Sequence, residues 1–304
     1  MTIIKPPKKK IKKVGILAKK EIGTKVKNID KIIKILQKHK VEIFFDKHIG
    51  ATVKSEKIYS RSELLDKCDL VLVLGGDGTI LKTAGQIGRR KVLILAINYG
   101  NLGFLSESHP ENLEKNLEKV FTGKYLIDKR SLLRVTHYRN KRKRDTFVAM
   151  NDAVINQGLF ARLIELQIDV AGSHVVNFKA DGMIISTPTG STAHSLSAGG
   201  PIVHPALNAL IITPICPAPL SLRPIVIPND KNVTFTVATQ RKESHNLGLT
   251  IDGQVTVPLE YGDIVKVRRS RRCFYMIRFD GSSYYKTLRE KLGWGERAIA
   301  SSRN

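Results

Sequence analysis

Apolar residues recur along the chain with two different periods, and the change falls at about Lys129. Before it, short apolar runs alternate with amphipathic segments. Val14 to Ala18, Val41 to Phe45, Leu70 to Leu74 and Val92 to Ile97 read as buried strands. Between them Val26, Ile29, Ile32, Ile33 and Leu36 recur at helical spacing, with lysines on the outer face. Ser62-Glu63-Leu64-Leu65 opens a short helix, Ile80 to Ala84 resumes helical spacing with Thr79 as its expected N-cap, and Glu111 to Phe121 reads as a helix lying over the sheet. Strand and helix in alternation predict a parallel sheet with right-handed crossovers.

After Lys129 the period shortens to two. Leu132 to Tyr138, Thr146 to Asn156, Leu163 to Val170, Met183 to Ser186, Val233 to Ala238, Leu249 to Ile251, Ile264 to Val267 and Phe274 to Phe279 read as strands. With almost no helix between them, they predict an all-β second domain. Asp252-Gly253 is a hairpin signal or a second site with chemistry like that described below. Tyr285 to Leu292 is one amphipathic helix.

Composition narrows the class. A chain of 304 residues suits two domains, and 42% hydrophobic with 26% charged residues is ordinary for a globular protein. Cys68, Cys216 and Cys273 are far apart, with neither metal-ligand nor redox spacing, which points to a reducing compartment. No apolar run approaches the roughly 20 residues of a membrane span, and Val14 to Ala18 is too short for a signal-peptide core. A cytoplasmic protein without membrane attachment is expected.

The net charge of +24 changes the picture more. Six lysines lie in Lys5 to Lys13, five basic residues in Arg139 to Arg144 and four arginines in Arg268 to Arg272. Residues 1–13, with Pro6-Pro7 among lysines, read as a disordered basic arm, and the other runs as solvated hairpin tips. Such a field attracts ATP, polyphosphate or nucleic acid in a salt-dependent way. No aromatics interleave the runs, so no specific nucleic-acid partner is expected.

Two blocks carry chemistry. The run Leu70 to Leu74 ends in Gly75-Gly76-Asp77-Gly78-Thr79, a glycine turn between a strand and a helix. Ligands of open α/β sheets bind at such strand ends, where loop amides favour anions. Asp77 alone would read as a turn cap. In a phosphate site, a carboxylate instead organises a metal or takes a proton from an attacking hydroxyl. Neither a Walker A loop nor GxGxxG occurs. The second block, Asp181 to Pro201, is dominated by glycines and small hydroxyl residues that offer amides and hydroxyls to a polar ligand, with a helix start at Ser191 or Thr192.

Taken together, these blocks with Asn98 to Leu105, Asn151-Asp152, Asp252-Gly253-Gln254 and Leu288 to Trp294 resemble the bacterial NAD kinase family through nearly the whole chain. The first motif alone is shared with diacylglycerol kinase-like lipid kinases and approximately with phosphofructokinases. The resemblance implies a Rossmann-like α/β N-terminal domain, residues 14–130 joined by about 280–304, and an all-β NAD-binding domain, residues 131–279, with the C-terminal helix returning to the first domain. It implies phosphoryl transfer from ATP, with Mg²⁺ or another divalent metal, to the 2′-hydroxyl of the adenosine ribose of NAD, in a homodimer or homotetramer.

By the same resemblance Asp77 is the base or the metal organiser, and Gly75, Gly76, Gly78 and Thr79 cradle phosphates. Asn151 and Asp152 bind the dinucleotide ribose, Asp181 the nicotinamide end, and Thr192, Ala193, His194, Ser195, Leu196 and Ser197 the adenosine part. Asp77 and Gly78 also face NAD, and Lys82, Arg162, Lys179 and Gln254 are placed there by proximity to these motifs. For Arg162 and Lys179 a solvated strand charge is an equal reading. The family often has Glu where Asp152 stands and tyrosine where His194 stands; both changes bear on substrate affinity. A lipid kinase drawn to anionic membranes and a non-catalytic dinucleotide sensor or nucleic-acid binder are the competing readings. The adenosine-like block opposes the first and an intact Asp77 the second.

Overall fold

The computed structural model describes residues 2–7, 10–19, 21, 29–100, 103–106, 108–157, 163–238, 247–281 and 283–293. In the first half β2 (Lys13–Ala18), β3 (Glu42–Asp46), β4 (Ile58–Tyr59), β5 (Leu70–Leu74) and β6 (Leu93–Ile97) pair in parallel. Every residue of β5 is buried, as a strand covered on both faces requires. Helices α1 (Ile29–Lys38), α2 (Lys47–Val53), α3 (Arg61–Lys67), α4 (Asp77–Gly85) and α5 (Leu113–Phe121) make the connections. Ser60 and Glu63 form a reciprocal capping box on α3.

The second half carries β7 (Leu126–Arg139), β8 (Arg142–Ala149), β9 (Asp152–Gln157), β10 (Ile164–Val170), β11 (Ser173–Ala180) and β12 (Gly182–Ser186). After a short helix α6 (His194–Ser197) come β13 (Ala209–Ile215), β14 (Ile225–Pro228), β15 (Val233–Val237), β16 (Leu247–Ile251), β17 (Val255–Leu259) and β18 (Ile264–Arg278). The chain then enters α7 (Tyr284–Leu292). An α/β half with parallel strands, a β-rich half and a closing helix are what the patterning predicted.

The two halves share a sheet. Among the described residues twelve strands form one sheet, because β18 pairs in parallel with β6 and antiparallel with β7 and β15. A six-stranded sheet in the order β14-β13-β12-β9-β16-β17 packs against its second-half end. Phe235, Leu166, Ile185 and Leu249 are fully or almost fully buried between them.

Several expectations are corrected. Thr2–Ile4 is not disordered: it forms β1, antiparallel to residues Ile127 to Lys129 of β7, on the edge that β8 leaves open. The expected single strand Thr146 to Asn156 breaks at Met150-Asn151, where the chain leaves one sheet for the other. The two strands expected at Ile264 and Phe274 are one strand with a register shift between Arg269 and Cys273. β4, β11, β13, β14 and α2 escaped the pattern; β11 and β14 lie at sheet edges with mostly exposed side chains, where alternation is weak.

At the junction of the halves a buried ion cluster stands in for apolar packing. Arg130 places Nε 2.8 Å and Nη2 2.7 Å from Asp128 Oδ2, and Arg278 Nε lies 3.3 Å from the same oxygen. Burial works to raise the Asp128 pKa, and the two guanidiniums outweigh it, holding it below the ordinary value. Arg130 also donates from Nη1 to Thr189 Oγ1 at 3.1 Å, tying the sheet to the Ser/Thr/Gly block. Among the described residues no helix is long and apolar enough to cross a membrane.

Candidate active site

The glycine turn lies where the parallel strands end. Gly75 N–H donates to Ile97 O at 2.9 Å, and Gly76, extended at φ −84° and ψ −173°, is the N-cap of α4. Asp77 is therefore the first residue of that helix. Thr79, expected at the cap, sits two residues further inside it and is buried. That extended backbone is open to any residue, and the cap is made without a side-chain hydrogen bond.

Asp77 Oδ2 accepts from Phe104 N–H at 2.9 Å and Oδ1 from Leu105 N–H at 3.3 Å, so the loop after β6 grips the carboxylate. A β-carbon at Gly103 would overlap that carboxylate, and only glycine admits so close an approach. Burial raises the Asp77 pKa above its ordinary value; the two N–H donors, Lys291 of α7 and Arg278 oppose the shift.

On the cleft side, Gly76, Gly78, Thr79, Lys82 and Gln254 line a hollow of about 360 Å³ together with Arg61 and His48. Gln254 arrives from the β16–β17 turn, so the second half closes over the first. In that turn Asp252 and Gly253 take φ of 50° and 63°, and Gln254 N–H donates to Ile251 O at 2.8 Å. Two successive positive φ values are those of a type I′ hairpin.

Asp252 is more than a turn residue. Its Oδ2 accepts from Met150 N–H at 2.8 Å, and its Oδ1 from Asn151 and Asp152 N–H at 2.8 and 3.0 Å. These bonds hold the break between β8 and β9. The Ser/Thr/Gly block fastens to the same place, with Thr187 Oγ1 donating to Met150 O at 2.6 Å and Thr187 N–H to Asn151 O at 2.8 Å. A β-carbon at Gly190 would overlap Asn151 O. The result is a second hollow of about 220 Å³, lined by Asn151, Asp152, Asn156, Ala193, His194 and Thr250 among others.

Asp152 is buried in its wall with its pKa pushed up to about 7, by burial first and Asp252 second. Asp252 is raised to about 6 by burial, against its three N–H donors. Having those donors, Asp252 keeps the charge, and Asp152 is the member of the pair that holds a proton.

Residues 14–125 match the family model of the ATP-NAD kinase N-terminal domain, and residues 150–279 that of the C-terminal domain. The chain belongs to the ATP-NAD kinase family. It is accordingly a transferase that phosphorylates NAD. The NAD kinase of Syntrophotalea carbinolica is 38% identical over 288 residues, covering 94% of this chain and 100% of that protein. That of Geobacter sulfurreducens is 44% identical over 229 residues, covering 75% and 80%. The crystal structure of yeast NADH kinase complexed with NADH has a TM-score of 0.85 at 26% identity, covering 95% of this chain and 89% of that one. An NAD kinase from Archaeoglobus fulgidus in complex with ATP shares the fold, with a TM-score of 0.70 at 24% identity over 92% of this chain and 98% of its own.

Within this ATP-NAD kinase fold, the residues singled out from sequence divide into groups. Gly76, Gly78, Thr79, Lys82 and Gln254 gather at the first hollow, and Asn151, Asp152, Ala193 and His194 at the second. Gly75 and Asp77 belong to the same turn but do not line the hollow, the Asp77 carboxylate being turned to the loop after β6. Ser195 turns its hydroxyl inward to Thr213 Oγ1 at 2.9 Å, and Thr192 Oγ1 donates to Thr189 O at 3.4 Å; both fasten the block. Leu196 and Ser197 line neither hollow. Lys179 is exposed on β11, and Asp181 accepts from Gln157 Nε2 at 2.8 Å, at the other end of the six-stranded sheet. Arg162 lies outside the described residues, as do Val26, Asn101, Leu102 and Trp294. Sequence reasoning missed Arg61, His48, Asn156 and Thr250, which have no local signature; only the fold brings them to a hollow.

Proposed function

We propose that this enzyme transfers the terminal phosphoryl group of ATP to the 2′-hydroxyl of the adenosine ribose of NAD, giving NADP. The observation that carries this reading is the position of Asp77. In the turn it lies between Gly76 and Gly78, which line the cation-rich hollow. Its carboxylate is held by two N–H groups of the loop after β6, and burial raises its pKa above the ordinary value, as suits a general base. In the proposed step the 2′-hydroxyl gives its proton to the Asp77 carboxylate as its oxygen bonds to the γ-phosphorus. The bond from that phosphorus to the β–γ bridging oxygen breaks, and ADP leaves with the electron pair.

Gly75, Gly76, Gly78 and Thr79 cradle the phosphates in this reading, and Lys82 adds charge beside them. Asn151, Asp152, Ala193, His194 and the backbone around Thr192 to Ser197 hold the dinucleotide, and Gln254 meets it from the phosphate hollow. Asp181 serves the nicotinamide end, and Lys179 lies near it on β11. Among the described residues no group of three His, Cys, Asp or Glu side chains forms a metal cage. Mg²⁺ ordinarily binds through one or two carboxylates plus substrate phosphates, a demand that Asp77 and the donor meet together. When bound it neutralises phosphate charge. A homodimer or homotetramer in the cytoplasm belongs to the same reading; three widely spaced cysteines without metal or redox spacing suit a reducing compartment.

The test is NADP formation by the purified protein with NAD, ATP and Mg²⁺, with and without EDTA. Metal-dependent NADP production is expected. A folded protein silent across a panel of phosphoryl donors would overturn the reading.

A further inference from the structure

The phosphate hollow does not end at the glycine turn. It adjoins two larger hollows, of about 500 Å³ and about 580 Å³, around the outer face of α4, and Arg61 lines all three. Lys82 and Gln254 are shared by the phosphate hollow and the 500 Å³ one, Arg272 and Gln86 by the two larger ones, and His48 by the phosphate hollow and the 580 Å³ one. Through these shared walls the three together make a groove.

Its charge is unbalanced. Arg61, Lys82, Arg134 and Arg272 line it, yet none of them pairs with a carboxylate among the described residues. Asp46, Asp252 and Glu21 line it too, fewer than the cations, and although Asp46 acts on Arg61 electrostatically, none of the three forms an ion pair with Arg61. Asp46 accepts from His48, Ile49 and Ala18 N–H, Asp252 from three N–H groups, and Glu21 pairs with Lys19. Arg61 is the most exposed to this imbalance in energetic terms: its Nε is buried with no hydrogen-bond partner. A buried donor left unmade is costly, so the site favours an anion that satisfies it. Arg272, by contrast, is anchored through Nη1 to Ile87 O at 2.7 Å.

We propose that this groove takes a linear phosphate chain, that of the phosphoryl donor, and that Arg61 is the side chain that grips it. A guanidinium presents a planar fork matched to phosphate oxygens, and the groove opens at Gly76 and Gly78, where the transferred group must lie. The proposal rests on the reading of ATP as donor and adds a binding residue to it. The same chemistry is offered by a nucleoside triphosphate and by inorganic polyphosphate.

Calorimetric titration separates the sources, using inorganic tripolyphosphate in one arm and a β,γ-imido ATP analogue in the other. Arg61→Ala is expected to weaken both by about 10- to 100-fold, the scale of one charge-assisted hydrogen bond. Arg61→Lys should lose several-fold, and it carries the test if the alanine variant does not fold. Arg142→Ala, at the exposed β7–β8 tip, should bind as wild type, as should all variants toward NAD. Wild-type affinity in both Arg61 variants, or an equal loss in Arg142→Ala, would overturn the proposal. A loss in the analogue arm alone assigns Arg61 to a nucleotide donor, and a loss in both to any phosphate chain. Wild-type protein that binds tripolyphosphate through Arg61 yet makes no NADP from ATP would refute the donor reading and leave the groove standing.

Discussion

Gly103 and Asp77 touch so closely that the absent side chain of one is the seat of the other's carboxylate. The contact joins the loop after β6 to the first turn of α4, and the N–H groups of Phe104 and Leu105 complete it. Gly103→Ala should therefore move Asp77 without altering its chemistry. An expected loss of about 10- to 100-fold in kcat, with KM for ATP little changed, follows from the sensitivity of transfer geometry to sub-ångström shifts. Steady-state kinetics check it; an unchanged kcat would show that Asp77 does not need this seat.

Asp77→Asn keeps the shape and removes the base. Turnover should fall by about 10²–10⁴, the usual scale for general-base catalysis, in a protein that still melts like wild type. The carboxylate is active when ionised, and burial raises its pKa. The acid limb of the wild-type rate profile should accordingly lie above the ordinary aspartate range and vanish in the variant.

The Asp252 carboxylate is the latch between the sheets. Asp252→Ala leaves the Met150, Asn151 and Asp152 N–H groups without their acceptor, at an expected cost of about 2–4 kcal/mol. Urea unfolding measures it. A loss below one-half of that range would mean that water replaces the carboxylate.

Asp152 gives a pH signature of opposite sign to a salt-bridged acid. Its folded pKa, about 7, lies above its unfolded value, so the native state binds more protons between the two. Stability is fully present below the unfolded pKa and declines as pH rises toward 7. Asp152→Asn should flatten that decline and raise the melting temperature in mildly alkaline buffer, while raising KM for NAD. Identical melting curves across pH would place the buried proton elsewhere.

His194 is exposed at the rim of the second hollow. If its ring stacks on the adenine, His194→Tyr should preserve or lower KM for NAD. A large rise would remove His194 from the base-binding wall.

Periodicity was enough to read β2, β3, β5, β6 and the helices α1, α3 and α4, because a strand buried on both faces and an amphipathic helix each have a local pattern. The glycine turn after β5 was legible for a related reason: strand, turn and helix follow one another within the chain, and three glycines with a carboxylate and a hydroxyl together at such a strand end mark a phosphate site. The tertiary structure decided what depends on distant partners. Met150-Asn151 looks like strand interior, and partners distant in the chain, the Asp252 carboxylate and Thr187, hold it as a break. The closing strand reads as two segments because its register shift falls among arginines, yet among the described residues it is the strand that makes the two half-sheets continuous. Arg61 is an ordinary surface cation in the sequence; burial of its Nε beside α4 is a fact of packing, and local patterns carry no record of packing at long range.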